Sequence, residues 1–392
     1  MSLLTPERPE PAPTPPPTAA ATSRFDLRRF GLAVAAPALA VVVALAVASI
    51  ALLVSGSNPL TVYARMLEEG TTLRSALITV NNAVPLYLSG LAVALGFRMG
   101  LFNIGVEGQY QLAALLAAAA GAAVVLPGPL HLLFVVLVAM VVGAMWAGVA
   151  AVLKTTRGVS EVISTIMLNV IAGGIAAYLL STYLQERVEG SNNSRTPRLD
   201  ESARFPNLDP VLRAFGVEPP QGTRLGGFVL VAAVVGVVYW LLVSRSRFGF
   251  DLRATGLSPS ASVASGVNAK RMTIVTMLMS GAIAGLVGLP QLVGSSYAYG
   301  LDFTSGLGFT GIGVALLGRG SPVGVAIGAL LFAFLERSSA TLQRIDVPTE
   351  IYVIMQGSIV LSVVVAYEAV RRIGVAQAER AVRRAVDPEV AA

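Results

Sequence analysis

The chain has 392 residues, of which 55% are hydrophobic and 13% are charged, and its mean hydropathy is +0.72. This composition excludes a soluble globular protein of such length and predicts an all-α integral membrane protein. The net charge of +6 comes from basic residues that flank apolar runs. They form no continuous patch with interleaved aromatic side chains, so nucleic acid is excluded as a partner and membrane lipid is expected. The absence of cysteine excludes disulfides and thiolate catalysis.

The first 30 residues are predicted to form a disordered cytoplasmic extension, because they are Pro-rich, lack apolar periodicity and lead into a group of arginines. The apolar run that follows is either a signal peptide or a first membrane span. Its length exceeds that of a typical signal-peptide core, which favours an uncleaved span. Residues 31–370 are then expected to form the membrane domain, and residues 371–392 a cytoplasmic tail.

About ten membrane-spanning helices, some of them broken or re-entrant, are predicted from apolar length and flanking charge. With a cytoplasmic N-terminus, alternation places the loop 244–271 inside and makes both termini cytoplasmic. The long loop 185–224 is expected outside, because its acidic residues offset its arginines. The weakest spans are 109–126 and the glycine-interrupted region 306–338, where broken helices are expected. The predicted spans are 33–55, 77–97, 109–126, 129–153, 161–184, 225–243, 272–293, 306–318, 322–338 and 351–368.

The segment RMGLFNIGVEGQ at 98–109 places Asn103, Glu107 and Gln109 between glycines in an apolar part of the chain. Polar groups at membrane depth are costly, and irregular backbone is tolerated there only next to protein or a watery cavity. One interpretation is that these side chains line a solute pathway, where paired donors and acceptors would bind sugar hydroxyls or base edges. The alternative is that Glu107 pairs with Arg98 and locks a re-entrant turn.

A second polar stripe lies in SEVISTIMLN at 160–169, where Glu161, Thr165 and Asn169 recur at a spacing of four. Ser160 is expected to cap this helix, and Glu161 to interact favourably with its positive end. Asn169 lies deeper, and it either lines the pathway or joins two helices.

Aromatic residues Tyr297, Tyr299 and Phe303 follow the seventh predicted span. An interfacial aromatic belt is the favoured interpretation, and stacking of Tyr297 and Tyr299 on a ring-bearing solute is the alternative. His131 is the only histidine; it is expected at the interface, and no metal site is predicted because no His/Cys cluster can form.

The loop 244–271 carries Arg247, Asp251 and Arg253, followed by the small residues Ala261 and Gly266. It is either an ordinary positively charged cytoplasmic loop or a short helix, ended by Gly266, that docks against a partner. Upstream, residues 148–155 match the phosphate-binding pattern G-x-x-x-x-G-K-[ST] except that leucine replaces the second glycine. The phosphate cradle requires that glycine, so the chain has no credible ATP-binding loop and any ATP must be hydrolysed by a partner protein.

Three segments together resemble the permease subunits of binding-protein-dependent ABC importers for branched-chain amino acids, simple sugars and nucleosides. GLFNIGVEGQ at 100–109 and SEVISTIMLN at 160–169 are similar to the nucleoside and simple-sugar branch, and FTGIGVALLG at 309–318 with the following SP to its second-half counterpart. The resemblance spans most of residues 60–370. It implies that residues 247–268 couple the permease to an ATPase.

The resemblance further implies partners: ATP-binding subunits, a second similar permease and an external substrate-binding lipoprotein. It implies a multi-pass protein of the bacterial cytoplasmic membrane that imports a nucleoside or related solute and binds no cofactor itself. A simple-sugar importer is the first alternative. An ion-coupled secondary transporter, with Glu107 or Glu161 as coupling group, is the second. An integral membrane enzyme is the third, although no nucleophile–base set is visible.

Overall fold

The computed structural model describes residues 42–186, 194–340, 342 and 351–386, and within them the regular secondary structure is helical, joined by loops with isolated β-bridges. The predicted N-terminal extension 1–30 lies outside these residues. In chain order the helices are α1 (Val42–Val54), α2 (Pro59–Gly70), α3 (Leu73–Arg98), α4 (Val106–Ala122), α5 (Gly128–Arg157), α6 (Glu161–Leu179), α7 (Asp209–Ala214), α8 (Phe228–Arg245), α9 (Arg247–Leu257), α10 (Pro259–Ala264), α11 (Ala269–Gly285), α12 (Leu289–Gln291), α13 (Leu307–Gly318), α14 (Pro322–Ser339) and α15 (Ile351–Val386).

Six of the described helical segments are long and apolar enough to cross a membrane, and α1 with α2 makes a seventh if this pair, bent by 114°, counts as one span. The predicted count of ten is therefore not confirmed. Within the described residues every predicted span overlaps a helix, although residues 33–41 of the first predicted span lie outside them, and the difference in count comes from helix length. The 17-residue α4 and the 12-residue α13 extend for only about 26 Å and 18 Å, which is shorter than a hydrocarbon core of roughly 30 Å.

Sequence signals explain where several helices begin and end. Asn268 caps α11 by accepting a hydrogen bond from the N–H of Arg271, and Ser246 caps α9 through the N–H of Gly249. The helix α5 ends at Gly158, which adopts the left-handed conformation (φ 68°) after a last turn that carries Lys154 and Arg157. The near-match to a phosphate-binding loop thus lies inside α5, where no phosphate cradle forms.

The core is built around α3, which packs against α11, α13 and α14. Small residues permit the closest contact, between α5 and α11, where the backbones meet at Gly143, Gly281 and Gly285. A side chain at any of these glycines would collide with the facing backbone, so the two helices can approach only because the residues are small.

The two ends of the bundle are distinguished by the segments before and after α8. Helix α8 separates the loop that precedes it (194–227) from α9 and α10 that follow it, and its 18 residues extend for about 27 Å. We call the first end the loop side and the second the arm side, where the arm is α9 together with α10. Arg98, at the end of α3, donates to the carbonyl of Gly320, so the ends of α3 and α13 meet on the arm side.

Candidate functional site

Glu107 lies in the first turn of α4, is 6% exposed, and joins this helix to the start of α13. Its Oε1 accepts hydrogen bonds from the N–H of Gly306 (2.7 Å), the Tyr110 hydroxyl (3.0 Å) and Gln111 Nε2 (2.8 Å). Its Oε2 accepts one from the N–H of Gly308 at 2.9 Å. Four donors therefore surround a single buried carboxylate.

The position of this carboxylate follows from the helix ends around it. Helix α4 begins at Val106 and α13 at Leu307, and Glu107 contacts the first turns of both. Each helix N-terminus presents unpaired N–H groups and a partial positive charge, which together bind an anion. Gly308 has no Cβ, and one would collide with the backbone N of Glu107. The side chain thus serves as the anion for two short helices that start in the interior.

Arg98 is not the partner of Glu107, so the predicted Glu107–Arg98 pair is wrong. Arg98 Nη2 donates to the carbonyl of Gly320 at 3.2 Å, and the Tyr239 hydroxyl donates to the same oxygen at 3.2 Å. The segment between α3 and α4 carries Glu107 away from the arm side, while Arg98 stays there. The partners of Glu107 are instead the backbone N–H groups of Gly306 and Gly308 at the start of α13.

Asn103 and Gln109 exchange two hydrogen bonds between their side-chain amides, at 3.0 Å and 2.8 Å. Asn103 Nδ2 also donates to Ser280 Oγ (2.8 Å), and its Oδ1 accepts from the N–H of Gly105 (3.1 Å). Ser280 in turn donates to the carbonyl of Ala92. Asn103 is fully buried and Gln109 is 1% exposed. Asn103, held by Gln109, therefore joins the start of α4 to α11 and, through Ser280, to α3.

Asn169, on α6, bonds to the backbone at the start of α4. Its Nδ2 donates to the carbonyl of Ile104 (2.9 Å), and its Oδ1 accepts from the N–H of Gly108 (2.9 Å). We call Asn103, Glu107, Gln109 and Asn169 the polar network. Its members are brought together as predicted from the sequence, but their polar atoms bond to the protein itself. Direct contact with a solute stays a prediction.

Glu161 holds the arm-side end of this region. Its Oε2 pairs with Lys154 Nζ at 2.5 Å, and its Oε1 accepts from the N–H of Phe102 at 3.4 Å. Ser160 occupies the N-cap position of α6, yet its side chain makes no capping hydrogen bond. The expected cap is thus replaced by an ion pair between the end of α5 and the start of α6.

A cavity of about 680 Å³ opens on the loop side, and we call it the loop-side cavity. Its volume falls in the range of small-molecule sites. Its wall is formed by α3, the loop before α8 with the first turn of α8, residues 287–297 including α12, the segment before α13 with its first residue, and the end of α14. The polar residues of that wall are Asn81, Asn82, Asn207, Arg224, Gln291, Ser295, Tyr297, Thr304 and Glu336. Thr304 and Leu307 flank Gly306, so the polar network lies directly behind one part of the wall.

The two tyrosines predicted as pathway residues separate in the structure. Tyr297 lines the loop-side cavity, with the guanidinium of Arg204 4.7 Å from its ring centroid. Tyr299 is buried and stacks on Phe303 with ring centroids 4.7 Å apart. Its backbone bonds to Thr196 in the loop between α6 and α7. Tyr297 therefore lies at the cavity wall, whereas Tyr299 holds the loop, and contact of either ring with a solute stays a prediction.

His131 also joins the loop to the helices. Its ring nitrogens lie 2.7 Å from Ser202 Oγ and 2.9 Å from the carbonyl of Gly121. The N–H of Ser202 donates to Asp200, which lowers the pKa of that exposed carboxyl below its usual value. The ring is fully buried, so the position is near the end of the bundle but the side chain is not at the lipid interface.

Glu336 was not singled out in the sequence, although a carboxylate within a predicted span was a signal that could have found it. It lies in the last turn of α14 and lines the loop-side cavity. Its carboxylate forms no hydrogen bond or ion pair with any residue that the structure describes. The neighbouring Arg337 instead faces Glu69 on α2, 3.9 Å away.

The arm is two short helices, with a break at Ser258, in place of the single short helix expected. Arg253 anchors it to the carbonyl of Val243, and Gly266 (φ 86°) follows its end in the left-handed conformation that favours glycine. Arg247 and Ala261 are exposed, and Asp251 is half-buried. Three large apolar side chains on the arm are also exposed: Phe250 (64%), Leu257 (88%) and Val263 (58%).

The arm contacts the segment that leads into α4. A Cβ on Gly256 would lie 2.6 Å from the carbonyl oxygen of Arg98 and 2.9 Å from the Cα of Met99. The backbones of α9 and of the end of α3 are therefore in direct contact. Asn103 and the polar network begin five residues after Arg98, so displacement of the arm would act on the start of α4.

Comparison with known proteins assigns this architecture to one family. The family model described as the branched-chain amino acid transport system permease component matches residues 75–364. A guanosine ABC transporter permease of Bacillus subtilis is 34% identical over 337 residues, covering 84% of this chain and 93% of that protein. A glucose ABC transporter permease of Haloferax volcanii is 33% identical over 348 residues, covering 88% and 91%. A nucleoside ABC transporter permease of Lactococcus lactis is 30% identical over 340 residues, covering 84% and 90%. No solved structure matches the chain.

Proposed function

The chain belongs to the family of branched-chain amino acid transport system permease components, and from that membership we propose that it is the subunit of an ABC importer through which a nucleoside crosses the membrane. The observation that carries the proposal is its similarity, along most of both chains, to permeases named for guanosine and for nucleosides. The resemblance stated from the three sequence motifs is confirmed at the level of the family. Membership also makes the chain a multi-pass membrane protein.

A sugar is the second candidate solute. The glucose permease is nearly as similar to this chain as the guanosine permease, at 33% against 34% identity. Nucleosides and sugars share vicinal hydroxyl groups, and the loop-side cavity offers amide and hydroxyl groups that suit either. A base adds a flat ring, for which Tyr297 provides an aromatic face.

We assign the energy source to a separate ATP-binding subunit, and the arm to its docking surface. The exposed side chains of Phe250, Leu257 and Val263 on the arm support this assignment, because large apolar side chains left at the surface of a polar segment suit association with another protein. The coupling residues proposed from the sequence were Arg247, Asp251, Arg253, Ala261 and Gly266. Contact between Gly256 and Arg98 offers a route from this surface to the polar network.

The remaining assignments are part of the same proposal. The chain lies in the bacterial cytoplasmic membrane with the arm and both termini in the cytoplasm. It spans the bilayer about ten times when α4, α13 and α15 are counted. It pairs with a second similar permease and receives its solute from an external lipoprotein. It binds no cofactor, and ATP is bound only by the partner.

Within this proposal, Tyr297 contacts the solute at the cavity wall. Asn103, Glu107, Gln109 and Asn169 hold the starts of α4 and α13, and a shift of these helix ends would change the cavity where Thr304 and Leu307 line it. Tyr299 supports the loop through Thr196. Whether the polar network also touches the moving solute is tested by Asn103→Ala and Asn169→Leu, which should lower uptake without lowering membrane abundance if it does.

A reconstituted complex tests the proposal directly. The permease, its partner subunits and the external binding protein are assembled in proteoliposomes with ATP trapped inside. Labelled guanosine should accumulate only with hydrolysable ATP. Accumulation driven by an imposed pH gradient without ATP would instead support a secondary transporter, and chemical conversion of the solute would support an enzyme. Preference for glucose over guanosine would select the sugar alternative.

A further inference from the structure

Helix α2 follows α1 after a sharp bend and lies on the loop side of the bundle. Four residues join the two helices, and the chain turns by 114° between them. Arg74, at the start of α3, donates to the carbonyl of Gln221 (2.6 Å) in the loop before α8, so the short connection from α2 to α3 is also on this side. A helix that follows a membrane-crossing α1 at this angle runs near the plane of the membrane, at its loop-side surface.

The inner face of α2 is packed against the rest of the protein. Val62 (1% exposed) and Met66 (3% exposed) belong to a cluster with apolar side chains of α1, α14 and α15. Gly70 ends the helix, and a Cβ at this position would lie 2.4 Å from the ring of Phe334 on α14. This face is therefore buried, and α2 presents its other sides to its surroundings.

The exposed sides of α2 differ in polarity. Leu60 (78% exposed) and Leu67 (58% exposed) are seven positions apart, which is two helical turns, and we call them the leucine edge. Arg65 and Glu68 form an ion pair at 3.0 Å with side chains that are 61% and 71% exposed, and we call this pair the charged edge. At 3.6 residues per turn, Arg65 lies about 140–160° around the helix from the two leucines. Separate apolar and charged edges are typical of a helix at a lipid–water boundary.

A tyrosine shows which edge faces the interior of the membrane. The Tyr63 hydroxyl donates to the carbonyl of Leu45 (3.0 Å) and lies 3.1 Å from Ser49 Oγ, and both partners are on α1. Leu45 precedes the last residue of α1 by nine positions, so Tyr63 is directed back along α1, away from its loop-side end. Around the helix, Tyr63 lies about 40–60° from the two leucines and about 160° from Arg65. The leucine edge therefore faces the membrane interior, and the charged edge faces away from it.

We propose that α2 is an interfacial helix, with the leucine edge among the acyl chains of the lipid and the charged edge in water. Helix α2 carries one arginine and two glutamates. This balance gives no positive excess, so the apolar part of the lipid is the partner and an anionic headgroup is not required. The position of α2 does not depend on which solute the chain carries.

The interfacial helix is connected to the loop-side cavity. Only two residues separate α2 from α3, and the end of α2 is packed against α14 at Gly70. Both α3 and the end of α14 contribute to the cavity wall. Insertion of the leucine edge therefore fixes the level of this wall relative to the surface of the bilayer.

The test places a spin label at adjacent positions on the two sides of α2, in the full complex in nanodiscs. Because the chain has no cysteine, each substitution adds one labelling site to it. Leu60→Cys is compared with its neighbour Thr61→Cys. Leu67→Cys is compared with Glu68→Cys. The wild-type complex, treated in the same way, gives the background from the partner subunits. Power saturation with oxygen, which concentrates in the bilayer, and with Ni-EDDA, which stays in water, gives the depth of each label.

Labels at Leu60 and Leu67 should collide mainly with oxygen and report a depth of about 5–10 Å in the boundary between headgroups and acyl chains. Labels at Thr61 and Glu68 should collide mainly with Ni-EDDA. The depths should be equal in phosphatidylcholine and phosphatidylglycerol nanodiscs. All four side chains are exposed, so the labelled complexes should elute like the wild type in size-exclusion chromatography, and either pair alone suffices for the comparison.

Three results would overturn the proposal. Access of Ni-EDDA to all four labels would place α2 in water, outside the bilayer. Protection of the leucine positions from both reagents would mean that a protein partner, such as the external binding protein, covers this edge. A depth that is reached only in phosphatidylglycerol would assign the contact to anionic headgroups and not to the acyl chains.

Discussion

Replacement of Glu107 by glutamine should destabilise the chain measurably, because one atom of the side chain changes from acceptor to donor at a fully occupied site. The amide oxygen can take the place of Oε1 and keep the bonds from Gly306, Tyr110 and Gln111. The new NH₂ group then faces the N–H of Gly308, 2.9 Å from the position of Oε2. Two donors would point at each other in a buried place.

The magnitude follows from these contacts. An unsatisfied buried donor costs about 1–3 kcal/mol. Loss of the negative charge at the starts of α4 and α13 costs a further ~0.3–1 kcal/mol for each helix. The sum is about 2–5 kcal/mol. With an unfolding entropy of about 2 cal/mol/K per residue over a chain of this length, the expected decrease in Tm is roughly 3–6 °C.

The assay is thermal unfolding of the purified complex in detergent, followed by size-exclusion chromatography of the fraction that remains assembled. Glu68→Gln is the control, because an exposed ion pair contributes about 0–1 kcal/mol and its loss should lower Tm by less than about 1 °C. A Glu107→Gln variant with the same Tm as the Glu68→Gln control would refute the role of Glu107 as the anion at the starts of α4 and α13. Uptake by the variant should also be as independent of external pH as in the wild type, whereas a proton-coupled carrier would lose its pH dependence.

Three further predictions concern topology and coupling. In this cysteine-free chain, cysteines placed at Ser194 and Ser258 should differ on intact cells, so that an impermeant thiol reagent labels the first and not the second; equal labelling contradicts opposite sides. Leu257→Glu, on the arm, should abolish solute-stimulated ATP hydrolysis at normal membrane abundance. The control is Leu301→Glu, at a leucine that is 72% exposed on the loop side, which should leave that stimulation unchanged. Equal effects of the two variants would argue against docking at the arm. Gly256→Val should uncouple hydrolysis from uptake by at least about tenfold, because its Cβ would lie 2.6 Å from a backbone oxygen at the end of α3; wild-type stoichiometry would exclude that route.

The sequence by itself determined the class of protein, the positions of the helices and the family. These properties depend on local information: apolar length, flanking charge, capping residues and short motifs. The polar residues Asn103 and Gln109 of the site were also visible in the sequence, but the bonds that join them to each other were not predicted from it. The sequence did not determine the number and length of the spans, because an apolar run does not show whether a helix such as α13 crosses the bilayer or starts within it.

Only the tertiary structure decided which groups meet. Glu107 bonds to the N–H of Gly306, 199 positions away. The only protein partner that the sequence suggested, as the alternative to a solute, was Arg98, nine positions away, because a nearby opposite charge is visible in a sequence. Nearly every residue has a backbone N–H, so a sequence does not show which of them bind an anion. They do so where the fold exposes the start of a helix. Glu336 and Tyr297 likewise share a cavity only because α14 and the segment after α12 pack around α3. Local patterns fix elements, whereas the partners of buried polar groups depend on how those elements pack.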